Sequence, residues 1–160
     1  MIPENMTVTQ SQGRSLSSTI LESNLSQNAA FQIVWLIVRV TVGLFMIHNG
    51  FSKLADVPGF ATGVVQTIGF PYPVFFTYCA AYTEIVASIL LALGFLTRFS
   101  AISLFFTMLV AIYFHLKSTG LKIGEYETAT LYALHYLIFA IGGGGNFAID
   151  TLLARWFDRK

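Results

Sequence analysis

Ala80 to Arg98 reads AAYTEIVASILLALGFLTR, a helix-forming run long enough to cross a bilayer, with one carboxylate, Glu84, well inside it. An ionisable side chain at that depth costs several kcal/mol unless it faces protein or a water-filled cavity, so it marks a candidate functional site. Small residues follow it at helical spacing: Ala87, Ser88 and further on Gly94. With Ala80 and Ala81 they give that side a low profile on which neighbouring helices pack closely. Glu84 is therefore expected to point into a bundle formed by the chain's other apolar segments.

The composition agrees with this reading. Of 160 residues, 55% are hydrophobic and 11% charged, and the mean hydropathy is +0.68. A soluble domain carries roughly a quarter of its residues as charges. The deficit points to an all-α, polytopic membrane protein whose principal contact is the lipid bilayer. A net charge of +1 gives no basic footprint for nucleic acid. The single cysteine, Cys79, excludes a dithiol relay within the chain and reads as a buried membrane thiol.

Outward from Glu84, the chain divides into four expected spans. The first is Phe31 to Phe51, which carries Arg39, has Gly43 and Gly50 on the Arg39 side, and ends in His48-Asn49-Gly50. Ser52 to Tyr72 is too polar and too broken by Gly and Pro to span; Val57, Phe60, Val64, Val65 and Ile68 suggest a short interfacial helix there. The second span is Pro73 to Leu96 and the third Phe99 to Leu116, followed by a polar loop over Lys117 to Glu127. The fourth runs from Thr128 to Gly142 with His135 inside it, and Gly142 to Gly145 stop it. Asp150 is expected to N-cap a last interfacial helix with Leu152, Leu153, Trp156 and Phe157 on one face.

The expected organisation is thus a disordered, cytoplasmic Ser-, Thr-, Gln- and Asn-rich tail over residues 1–28 and a four-helix membrane domain over 29–160. The tail has no signal-peptide pattern and is expected to stay uncleaved, with Leu16, Ile20, Leu21 and Leu25 forming a short interfacial helix. Near the span ends, Arg14, Arg98, Arg155, Arg159 and Lys160 fall on one side, and Lys53, Lys117 and Lys122 on the other. That bias places both termini in the cytoplasm.

Counting residues from the span ends puts Glu84 and His135 near the midplane. Arg39 lies roughly 6 Å closer to the cytoplasm, a gap its side chain can bridge. An Arg39–Glu84 ion pair is expected, either as a structural lock or as part of a site. His135 reads equally as a hydrogen-bonded bundle residue or as a proton-handling one. His48, Lys53, His115, Glu125 and Glu127 gather at the outer ends. No metal site is expected, because His48, His115, His135 and Glu84 spread widely in depth.

The order of motifs resembles the DoxX family of small four-helix membrane proteins. The resemblance rests on Arg39 with Gly43, HNGFSKL (His48 to Leu54), GFPYP (Gly69 to Pro73), Glu84 with LLALGFLTR (Leu90 to Arg98), the stretch from Glu127, and GGGGNFAID (Gly142 to Asp150). Arg39, Lys53, Glu84, Glu127 and Asp150 carry the family pattern. The resemblance implies a component of a quinone-linked membrane redox complex in the cell membrane. On that reading Glu84 and His135 handle protons, Arg39 stabilises negative charge, and Tyr82, Tyr132, His48 and Lys53 contact a quinone. No haem, flavin or iron–sulfur motif is evident, so electrons would come from a protein partner. The alternative is a non-catalytic anchor or assembly partner, acting with another protein or as a homo-oligomer.

Overall fold

A computed structural model describes residues 25–157. The expected tail up to residue 24, with its interfacial helix, lies outside the described residues, as do Arg159 and Lys160. The described chain is all α: α1 (Ala29–Ala55), α2 (Val57–Ile68), α3 (Pro73–Leu93), α4 (Thr97–Thr119), α5 (Ile123–Gly142) and α6 (Ile149–Phe157). α1, α3 and α4 are long and apolar enough to cross a membrane. The fourth long helix, α5, packs along α4.

Local chemistry sets the ends of these elements. Asn28 caps α1, its Oδ1 accepting from the Ala30 and Phe31 amides at 2.9 and 3.3 Å. α3 opens on Pro73, whose missing N–H belongs among the unsatisfied donors of a first turn. It closes on Gly94 in the left-handed region, with Gly94 N bonded to Leu91 O and Phe95 N to Leu90 O, the paired bonds of a Schellman ending. Ala61–Val65 within α2 is a π turn, and Phe60, Val64, Val65 and Ile68 on that helix face one cavity.

Several boundaries differ from those expected. α1 runs through Ser52–Ala55 before the chain breaks, because Asp56 leaves the helical region and its side chain accepts from Gly59 N, starting α2. α5 begins at Ile123, five residues earlier than expected, and so takes in Glu125 and Glu127. Polarity suggested a loop there, but the helix is exposed at that end, where charged residues are tolerated.

α1 and α3 lie antiparallel in close contact, in a register fixed by glycine. A Cβ on Gly43 would meet the Ser88 carbonyl oxygen at 3.0 Å, and one on Gly50 would meet the Ala81 carbonyl oxygen at 2.9 Å. Small residues thus bring the backbones together where lipid gives no hydrophobic drive for association. α3 and α4 form the next pair, and α4 packs on α5 around Leu104, Met108, Ala129, Ala133, Tyr136 and Phe139. Most large apolar side chains, such as Phe45, Phe75, Phe99 and Ile141, point outward, as they do when the surroundings are hydrocarbon.

Candidate functional site: an apolar cavity with an ion pair on its floor

Glu84 is 1% exposed, and its partner is Lys53. The Lys53 Nζ donates to Glu84 Oε2 at 2.6 Å and to the Asn49 carbonyl oxygen at 3.4 Å, and it stands 5.2 Å from the Phe60 ring centroid. Helical side chains lean toward their own N-terminus. On antiparallel α1 and α3 that lean brings the two together: Lys53 reaches down from the last turn of α1 toward Asn49, and Glu84 reaches back up α3 toward Ala80.

The expected Arg39–Glu84 pair does not form. The glycine register sets Arg39 level with Gly94, ten residues and about 15 Å along α3 from Glu84. Counting inward from assumed membrane planes missed this, because the register is set by which small residues allow contact.

Arg39 instead organises the opposite end of the protein. Its guanidinium donates to the Gly144 carbonyl oxygen, and to that of Phe147 at 3.0 Å. Asp150 lies within electrostatic reach. Asp150 does not cap α6, in which it is the second residue. Its carboxylate accepts from Leu96 N and Thr97 N, both at 2.8 Å, and so caps α4. Leu96 sits in the left-handed region at φ 48°, a conformation this cap holds in place. Gln32 Oε1 accepts from Asn146 N at 2.7 Å, and Trp35 Nε1 donates to the Gly143 carbonyl oxygen at 3.1 Å. The glycine run thus stops α5 and lets the closing loop press against α1 and the α3–α4 turn: a Cβ on Gly144 would meet Thr97 Oγ1 at 2.7 Å. Arg39, Gln32 and Asp150 form a structural clasp.

Above the Lys53–Glu84 pair opens a cavity of about 610 Å³ between the end of α1, α2 and facing parts of α3, α4 and α5. Its walls are mostly apolar, from Phe60, Val65, Ile68, Phe76, Phe106, Met108 and Ala111. Its polar groups are Lys53, Glu84, Asn49, Thr83, Thr107, Thr128 and Tyr132, with His115 and Glu125 also in the lining. Tyr132 stacks on Tyr136, their ring centroids 6.1 Å apart. That volume and lining fall in the usual range for small-molecule sites.

Of the residues expected from the sequence to form the site, Glu84, Lys53 and Tyr132 line this cavity. His135 does not line it; its Nδ1 lies 2.6 Å from the Leu131 carbonyl oxygen, an acceptor, so that nitrogen donates within its own helix turn. Tyr82 is exposed on the far side of α3, beside a separate shallow groove with Leu96 and Ser100. His48 is exposed on α1, away from the lining. Cys79 lines the cavity and is exposed, so it is not the buried thiol expected. The threonines and Asn49 were given no role at the site from the sequence. Threonines in apolar helices commonly bond their own preceding turn, as Thr107 does to Ser103 O, and carry no distinguishing signal.

The DoxX family model matches residues 34–116. An uncharacterized protein of Haemophilus influenzae is 33% identical over 135 residues, covering 81% of this chain and 96% of its own. The inner membrane protein YphA of Escherichia coli is 30% identical over 129 residues, covering 76% of this chain and 91% of its own. An uncharacterized membrane protein of Mycobacterium tuberculosis is 35% identical over 75 residues, just under half of each chain. No solved structure matches.

Proposed function

Because the chain belongs to the DoxX family of membrane proteins, we propose that it is the quinone-binding component of a membrane redox complex, with the head group seated over Lys53 and Glu84. The observation that carries this reading is an ion pair between a buried carboxylate and a half-buried ammonium in the lining of a largely apolar cavity. A planar ring with carbonyl oxygens needs apolar walls and a few fixed donors. Phe60, Phe76 and Met108 supply such walls, and Lys53 supplies a donor already held by three partners.

A quinone, when bound, supplies two-electron, two-proton redox chemistry. Lys53 Nζ would hold a carbonyl oxygen of the head group by donating to it. Glu84, which accepts a hydrogen bond from that ammonium, would serve as the carboxylate that holds one proton exchanged with the head group through Lys53. Tyr132, on α5, also stands in the lining and would supply a hydroxyl. Arg39 and His135 leave the proposed chemistry, and Lys53 takes the role the sequence suggested for Arg39. Electrons come from a protein partner, and α5 completes a four-span bundle with both termini in the cytoplasm of a bacterial inner membrane.

The test is a mild-detergent purification of tagged protein followed by lipid extraction and mass spectrometry. The control is the Lys53→Gln/Glu84→Gln double variant, which leaves no uncompensated charge. Quinone retained by the unmodified protein and lost from the variant is the expected result. A stoichiometric protein partner with no quinone in either sample would overturn the reading and make the chain an assembly subunit.

A further inference from the structure

Next to the head-group cavity lies a second hollow of about 340 Å³, and the two share Ile68, Phe70, Phe106 and Val110 as walls. The second hollow is completed by Gly69, Leu109 and Tyr113 and has no charged side chain in its lining. It sits between the end of α2 and the outer face of α4. Phe106 is 61% exposed and Tyr113 53%, and α4 is one of the helices fit to cross a membrane, so this face meets hydrocarbon. At Gly69, where α2 ends at φ +93°, a Cβ would meet nothing within 4 Å, so the helix end does not close the gap.

Resting on the quinone reading, we propose that this hollow is a lateral portal between α2 and α4, and that the ligand is a membrane-dissolved molecule whose hydrocarbon tail leaves through it. The shared walls set head cavity and groove side by side, with only the side chains of Ile68, Phe70, Phe106 and Val110 between them. An uncharged groove opening onto lipid suits an alkyl or isoprenoid chain and offers nothing to a soluble ligand. A soluble ligand would use the side of the cavity that carries His115 and Glu125.

Two probes separate the head from the tail: duroquinone, whose fully substituted ring does not alkylate Cys79, and its analogue with one methyl replaced by a decyl chain. Leu109→Trp fills the groove at a position outside the head cavity's lining. In protein reconstituted in nanodiscs, it is expected to weaken decyl-analogue binding at least tenfold and to leave duroquinone within twofold. Equal effects on both probes, or none on either, would overturn the portal while leaving the head-group reading standing. Failure of duroquinone to bind the unmodified protein would remove both. As a check independent of the variant's folding, a decyl analogue with a terminal diazirine is expected to crosslink to Leu109 or Tyr113. Crosslinks confined to the Tyr82–Phe99 side would overturn the portal.

Discussion

Replacing Glu84 with Gln alone strands the Lys53 ammonium in a largely apolar setting, and replacing Lys53 with Met strands the carboxylate. Removing one partner of a buried pair costs roughly 3–5 kcal/mol. Because Lys53 retains 16% side-chain exposure, the lower end is expected for Glu84→Gln. Thermal unfolding in detergent should therefore show both single variants less stable than the Lys53→Met/Glu84→Gln double variant; a double variant as unstable as the sum would show that the two do not interact. Asp150 offers a contrasting case. Asp150→Asn replaces one of two oxygens capping α4 with a donor and removes the charge beside Arg39. Hydrogen bonds to charged groups contribute about 1.5–3 kcal/mol, and a loss of that order in unfolding stability is expected. Binding at the cavity should persist, since the clasp lies at the other end of the helices. Unchanged stability would remove Asp150 from the clasp.

At the scale of elements, the α1–α3 register rests on a few missing Cβ atoms. Gly50→Ala puts a methyl 2.9 Å from the Ala81 carbonyl oxygen, a backbone atom that cannot swing aside. A loss of about 1–3 kcal/mol is expected from such overpacking, and the displaced helix carries Lys53 away from Glu84, so ligand retention should fall with stability. Gly63, in the π turn of α2, has open space where a methyl would be added, with nothing within 4 Å. Gly63→Ala should then be neutral or stabilising by roughly 0.5–1 kcal/mol, the ordinary helical preference for Ala over Gly. If the two substitutions had equal effects on the thermal midpoint, close contact would not set the register. Gly43 and Gly50 were visible in the sequence as small residues on one face of the first span. Which residues of α3 they would meet was not, because any antiparallel offset of one turn preserves the same small-residue pattern.

For the whole molecule, the cavity and the clasp divide the labour between the two ends of the long helices. The clasp fixes α1, the α3–α4 turn and the closing loop. At the other end α2 and the long helices line a hollow. Cys79, the chain's single thiol, lines that hollow and reports on its occupancy. Alkylation of Cys79 by an apolar maleimide should slow several-fold in the presence of saturating decyl-tailed quinone, followed by mass shift. An unchanged rate at saturating ligand would place the ligand elsewhere.

The sequence by itself determined that this chain is an all-α membrane protein of the DoxX family with a carboxylate, Glu84, set inside one of its apolar helices. Bulk hydropathy, helix-length apolar runs and a costly buried carboxylate are local properties, written into consecutive residues. It also carried Lys53 and Tyr132 as candidate contacts of a bound molecule. Only the tertiary structure decided that Lys53, rather than Arg39, neutralises Glu84, and that Asp150 reaches across 53 residues to cap α4. Partner choice depends on helix register and on the direction in which side chains lean. Register is fixed by close contact between small residues on different helices, and no periodicity within one helix records it.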